Sequence, residues 1–251
     1  MSPETQQLLM FIAAGFAAQL IDGSLGMAYG VTASSLLLSL GLPPAPDSAT
    51  VHAAECFATG ASAASHHIFG NVKRKLFTKL VYPGMAGAVI GAYILTRLDG
   101  EMIKPWIAGY LMIMGGIIIL KAFKKVPTKE VRKHVRPLGF IGAFIDTIGG
   151  GGWGPIVASN LVARGNDVRE TVGSVNAAEF FVTLAGSVTF FVTIGITNYQ
   201  AIVGLAIGGV LAAPLAAYLC KRVPVKPFMV AVGVLVMLVS MRTIAKTLGW
   251  I

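Results

Sequence analysis

The sequence predicts an all-α, polytopic membrane protein made of two related halves. Three observations carry this: a charge-poor apolar composition, ten separate apolar segments, and an internal repeat that matches polar residues as well as apolar ones. Of the 251 residues, 55% are hydrophobic and 12% charged, against about 25% charged in an ordinary soluble domain. Most of such a surface must face lipid or other protein rather than water. The formal net charge of +9 does not point to nucleic acid, because the basic residues fall between apolar segments, where the positive-inside rule puts them.

The apolar segments of the first half run over about 8–21, 27–41, 49–70, 76–96 and 101–121. Those of the second run over about 137–147, 153–164, 171–194, 200–220 and 225–248. Three in each half are long enough to cross a ~30 Å hydrocarbon core, which takes roughly 20 helical residues. The first two of each half are shorter and are joined by glycine-rich turns, so each pair is expected to form a broken or re-entrant helix hairpin. This divides the chain into a first membrane repeat (1–121), a basic cytoplasmic linker (122–136) and a second membrane repeat (137–251). Only Glu4 carries charge before the first apolar stretch, so no cleavable signal peptide is expected. Cys56 and Cys220 lie in apolar runs, where a disulfide is not expected and Cys56 reads as a buried apolar thiol.

Sliding the chain so that Asp22 falls on Asp146 aligns the halves without a gap. Gly15-Phe16 then meets Gly139-Phe140, and Gly26, Gly30, Ser35, Leu37 and Gly41 meet Gly150, Gly154, Ser159, Leu161 and Gly165. Val51, Ala53-Ala54-Glu55, Phe57 and Thr59 meet Val175, Ala177-Ala178-Glu179, Phe181 and Thr183. Apolar residues coincide by chance in membrane proteins; acids and spaced glycines do not. Five elements per half is an odd number, so the second half enters from the opposite side, the inverted-repeat plan of secondary transporters. The charges agree. Lys73-Arg74-Lys75, the stretch Lys121–Arg136, Arg164/Arg169 and Lys221-Arg222/Lys226 fall on one side, expected to be cytoplasmic. The loops at 42–48 and 195–199 carry no Lys or Arg and fall outside with both termini; Arg242 and Lys246 are a mild violation. Trp106, Tyr110, Tyr199 and Trp250 lie near segment ends, as interfacial aromatics do.

The two breaks are the strongest local feature. One reads Asp22-Gly-Ser24-Leu-Gly26-Met-Ala-Tyr29-Gly30, the other Asp146-Thr-Ile-Gly149-Gly150-Gly151-Gly152-Trp153-Gly154-Pro155. Glycine costs about 1 kcal/mol relative to Ala in a helix, and irregular backbone within lipid is tolerated only in a protein interior or beside a wet cavity. A helix starting inside the membrane offers free N–H groups and a positive dipole end, a ready anion site. Ser24, Gly26, Tyr29, Gly30, Gly149–Gly152, Trp153 and Gly154 are therefore the candidate substrate contacts. Close helix packing is the other account; it suffices for Gly26 and Gly30 and explains the four-glycine run poorly.

A polar stripe follows. His52, Glu55, Thr59, Ser62 and His66 are spaced 3, 4, 3 and 4, one face of a helix, and the repeat places Asn176, Glu179 and Thr183 in register. Ionisable residues within a span are expensive and face the interior, so Glu55 and Glu179 are either proton carriers or hydrogen-bonded structural groups. Asp22 and Asp146, at the ends of the first short helices, either brace the turns or carry protons. His66-His67 reads as an interfacial cap or as a collecting site for anions. No Lys or Arg is expected within a span apart from Arg242, no metal-ligand spacing occurs, and no cofactor is implied.

These residues resemble the TauE/SafE sulfite-exporter family, also called TSUP. The duplicated hairpin with its glycine turn (Gly149–Pro155), the Ala-Ala-Glu helix after each hairpin and the segment His67–Val72 carry the likeness over nearly the whole chain. The resemblance implies a transporter of sulfite, sulfonates or related small anions, commonly in the direction of export. The first turn departs from the glycine run, with Met27-Ala28-Tyr29 facing Gly151-Gly152-Trp153. The function expected is export of a sulfur-containing anion across the inner membrane by alternating access, with protons as candidate coupling ion and a homodimer allowed. The alternatives are an importer or channel for sulfate, thiosulfate or a small carboxylate. An intramembrane enzyme is remote, since neither H-E-x-x-H nor G-x-S-x-G occurs, and the P-loop motif is also absent.

Overall fold

The computed structural model describes residues 2–123, 134–164, 166–196, 198–220 and 225–250. Most of the expected basic linker and the pair Lys221-Arg222 lie outside the described residues. The described chain is helical throughout. Helix α1 spans Pro3–Leu25, α2 Tyr29–Ser39, α3 Pro44–Ile68, α4 Arg74–Leu95 and α5 Gly100–Ala122. In the second half α6 spans Val135–Gly149, a π-helical turn (Gly154–Ala158) runs into α7 (Ser159–Ala163), and α8, α9 and α10 span Val168–Ile194, Tyr199–Leu219 and Val225–Thr247. Among the described residues, five helices (α1, α4, α5, α8 and α9) are long and apolar enough to cross a membrane. The protein is a multi-pass membrane protein.

Local signals set the ends. Asp99 caps α5 by accepting from Glu101 N and Met102 N. Asp167 caps α8 by accepting from Glu170 N at 2.8 Å, with the acid three residues on that marks a capping box. Pro44 opens α3 in the first turn, where a missing N–H costs nothing. One expectation fails here. The first element is a 23-residue helix, not a short one. Ser2 caps it by accepting from Thr5 N, so the polar run before Leu8 is helical although hydropathy does not register it. Helices α1 and α6 also continue beyond Asp22 and Asp146, ending at Leu25 and Gly149.

The packing exchanges the halves. Helix α1 lies along α9 as α6 lies along α4; α3 packs on α9 as α8 packs on α4; α3 meets its own counterpart α8, and α5 meets α10. Glycines permit the close approach, as small residues do between membrane helices. A Cβ on Gly15 would strike the Leu205 backbone, and one on Gly87 the Phe140 carbonyl. The basic ends meet on one side: Arg169 donates to Asn71 Oδ1 and Phe69 O, and Lys73 Nζ pairs with Glu170. Trp106, Tyr199 and Trp250 are about three-quarters exposed, as interfacial rings should be. Tyr110 is not; its hydroxyl donates inward to Gly151 O at 2.9 Å. Cys56 is half-buried rather than buried, and neither cysteine forms a disulfide.

Candidate functional site

Both glycine turns follow one design. Each first helix ends on a left-handed glycine, Gly26 at φ +70° and Gly150 at φ +69°, a conformation that a Cβ resists. The cap amides donate to Asp22 O and Asp146 O respectively. Two residues on, Ala28 (φ +99°) and Gly152 (φ +152°) turn the chain again. The aspartate side chain then reaches over the turn to the first amide of the next helix. Asp146 Oδ1 accepts from Trp153 N–H at 2.8 Å, and the Asp22 carboxyl accepts from Tyr29 N–H. Each is a carboxylate capping an amide that has no partner within its own helix. The following ring is anchored in both halves. Tyr29 Oη donates to Leu205 O (3.2 Å) and Trp153 Nε1 to Val175 O (3.3 Å), and both rings are fully buried.

The turns touch backbone to backbone. A Cβ on Gly30 would sit 2.8 Å from Gly151 Cα; one on Gly151 would overlap Val31 N and Gly30 C; one on Gly154 would overlap Met27 Cα. Between them lies a crevice of about 160 Å³, too narrow for a water molecule. Its lining consists of six repeat-related pairs: Asp22/Asp146, Ala28/Gly152, Tyr29/Trp153, Gly30/Gly154, Val31/Pro155 and Glu55/Glu179. Two polar elements meet here, because α3 and α8 each bring a glutamate to the axis. The Glu55 carboxyl accepts from Gly30 N–H.

Four carboxyls thus share one dry space. Asp22, Glu55, Asp146 and Glu179 are each at most 3% exposed. Among the described residues, no Lys or Arg lines the crevice. Asp22 Oδ2, Glu55 Oε2 and Glu179 Oε2 have no hydrogen-bond partner among the described residues. Four uncompensated charges at this depth would be prohibitive. His52 locates one proton. Its Nδ1 faces the Ser48 carbonyl at 2.9 Å, and a carbonyl only accepts, so Nδ1 carries hydrogen. Its Nε2 lies 3.1 Å from Asp146 Oδ2, a contact that needs a second proton on the ring or on the acid. His52, Glu55 and Asp146 bring one ligand-type atom each within 4.8 Å of the others, a spacing that a metal ion could also bridge.

Other sequence candidates take supporting positions. Ser24 Oγ donates to Leu20 O and Ile21 O of its own helix. Thr59 and Thr183 donate to Glu55 O (2.6 Å) and Glu179 O (2.9 Å), fixing the backbone beneath each glutamate. Asn176 accepts from Ser62 at 2.8 Å and donates to Val172 O. Gly26 packs on Ala158 and Val172, Gly149 on the Tyr110 ring, Gly150 on Ser34 and Asp47, and Gly151 on the opposite turn. For Gly149 and Gly151 close contact accounts for the glycine, and for Gly26 and Gly150 close contact together with the left-handed φ; of the candidate glycines, Gly30, Gly152 and Gly154 line the crevice.

Several contributors fall outside the sequence candidates. Lys121, expected at the cytoplasmic end of its apolar segment, lies in the last turn of α5 and donates to Pro155 O (3.0 Å) and Ser159 Oγ. Ser159 Oγ also donates to Pro155 O, so two donors serve the carbonyl at the start of the π-helical turn. Asp47 accepts from Ser34 beside Gly150. His66 is not an interfacial cap: it is buried, with Nε2 on Gly23 O (2.8 Å) and Nδ1 facing Asn71 Nδ2 (2.9 Å). No sequence signal marks Lys121, since a lysine at a span end looks like any interfacial lysine. Asp47 had one, as an acid three residues past a proline pair at a helix start.

The family model described as "Sulfite exporter TauE/SafE" matches residues 11–243. A Bacillus subtilis (strain 168) protein named "Probable membrane transporter protein YtnM" is 41% identical over 250 residues, covering 95% of this chain and 83% of that protein. No solved structure matches.

Proposed function

This chain belongs to the sulfite exporter TauE/SafE family of membrane transporters, and on that footing we propose that it exports a small sulfur-containing anion, such as sulfite or an organosulfonate, across the inner membrane. It is a transporter rather than an enzyme. The observation that carries the proposal is the crevice whose lining is six repeat-related pairs, set between the starts of α2 and the π-helical turn. Two helices beginning opposite one another in the interior direct amide dipoles at a common point, where a small anion is stabilised. The exchange of packing partners between halves supports inverted repeats that rock about this point. The joining of the basic ends through Arg169 and Lys73 supports a cytoplasmic position for those loops. Export of an anion is favoured by an inside-negative potential, worth about 2.3 kcal/mol per charge per 100 mV.

The test is a thermal-shift series on purified protein with sulfite, sulfate, thiosulfate, sulfoacetate and small carboxylates, followed by flux in proteoliposomes with the best stabiliser. Sulfur oxyanions should raise the melting temperature; stabilisation by carboxylates alone would remove the sulfur assignment. The four carboxyls favour a second reading, carriage of a small cation. Stabilisation by metal chlorides and by none of the anions would select it.

A further inference from the structure

We propose that the crevice takes up its anion only in exchange for the protein's own carboxylates, so that protons and anion cross in the same direction. The proposal rests on the anion-transport reading above and adds its coupling. The amides that would hold an anion are already in use: Tyr29 N–H by Asp22, Trp153 N–H by Asp146 and Gly30 N–H by Glu55. Each acid occupies an amide that the transported anion needs. A second observation points the same way. Asp22 Oδ2, Glu55 Oε2 and Glu179 Oε2 lie buried at the crevice with no partner among the described residues. An ionised carboxylate in that position adds repulsion to a space that, among the described residues, no Lys or Arg lines, whereas a protonated one becomes a donor.

The exchange balances as follows. A proton from one aqueous face converts a carboxylate to the acid. The acid releases its backbone amide and turns its O–H toward the crevice, and the anion accepts from both. At the other face the anion leaves, the proton leaves with it, and the carboxylate returns to the amide. One proton accompanies each carboxylate displaced. Asp146 shares the crevice with Asp22 from α1, Tyr29 from α2, Glu55 from α3, the helix of His52, and Glu179 from α8, and the Tyr110 hydroxyl of α5 donates to Gly151 O. The Lys121 ammonium donates to the Pro155 carbonyl and is not among the residues that line the crevice. The design has a directional consequence. An inward proton gradient drives uptake through such a site, so net export runs only when the outward anion gradient outweighs it; the membrane potential adds to export only where the anion's charge exceeds the number of protons carried.

The test uses the full chain in proteoliposomes with a pH dye trapped inside. The probes are sulfate, thiosulfate and methanesulfonate, whose charge is constant between pH 5.5 and 8.0. An inward anion gradient should acidify the lumen, and the half-saturating concentration should rise from pH 5.5 to 8.0 by up to about tenfold per pH unit for each proton coupled. Glu55→Gln and Glu179→Gln should each flatten that dependence. Anion flux with an unchanged or alkalinised lumen overturns the coupling and leaves anion transport standing. Neither flux nor thermal stabilisation by any probe at either pH overturns the anion reading itself. If a glutamine variant fails to reach the membrane, the lumenal pH of the wild-type vesicles decides alone.

Discussion

The turn of the first half and the turn of the second share a backbone and differ in how their acids are supported. Gly26 and Gly150 adopt the same left-handed cap, and Asp22 and Asp146 reach over it to the same amide position. Yet Asp146 has both oxygens engaged, one by Trp153 and one by His52, while Asp22 leaves Oδ2 without a partner. The cause is one substitution across the repeat. Asn176 stands where the first half has His52, and it turns to Ser62 and Val172 instead of the opposing aspartate. The second turn also gains an outer brace, Tyr110 on Gly151 and Lys121 on Pro155. Duplicated halves thus keep the geometry needed for a shared crevice and divide the labour between a braced turn and a looser one. The looser turn is the better suited to move.

The comparison can be broken most severely at Gly151, where any side chain runs into the Gly30–Val31 backbone of the other turn. Gly151→Leu should abolish flux in proteoliposomes while membrane fractionation still finds the protein inserted; wild-type rates would refute contact between the turns. Next comes the aspartate pair. Asp146→Ala strands two buried groups, the Trp153 amide and His52, and Asp22→Ala strands one, the Tyr29 amide. At about 1–3 kcal/mol per stranded group, the first should lower the denaturant midpoint more than the second; equal losses would erase the asymmetry. His52→Asn makes the first half copy the second. It should cost about 1–2 kcal/mol and, in a double-mutant cycle with Asp146→Asn, show coupling, whereas independent additive losses would mean the two do not interact. The smallest effects concern Ala28 and Gly152. Ala28→Gly should be neutral or stabilising by up to about 1 kcal/mol, since it relieves a positive φ. Gly152→Ala should destabilise, because its Cβ would meet the Tyr110 hydroxyl; thermal melts of the pair in one detergent compare them directly.

Much of the fold was legible because lipid imposes it. Every backbone group in a span must be satisfied within its own helix, so long apolar runs mark helices, and α4, α5, α8 and α9 fall close to their expected ranges. The repeat was legible because its acids and glycines keep register, and of these the acids and the pair Gly30/Gly154 meet at the crevice. Where hydropathy misled, as at the start of α1, a serine cap extended a helix into polar sequence.

The sequence by itself determined that the chain is helical, lies in a membrane, is duplicated, and carries Asp22, Glu55, Asp146 and Glu179 in matched positions. Spacing along one strand of sequence suffices for that, since helical periodicity and the transfer cost of charge are local or additive. Only the tertiary structure decided that the amides of the two turns are already capped, that His52 pairs with Asp146 while Asn176 turns away, and that Tyr110 and Lys121 brace one turn alone. The caps span seven residues, but the contacts of His52, Asn176, Tyr110 and Lys121 join residues 34 to 114 positions apart, and directional contacts of that kind are fixed by how the helices pack, which residue types along the chain do not encode singly.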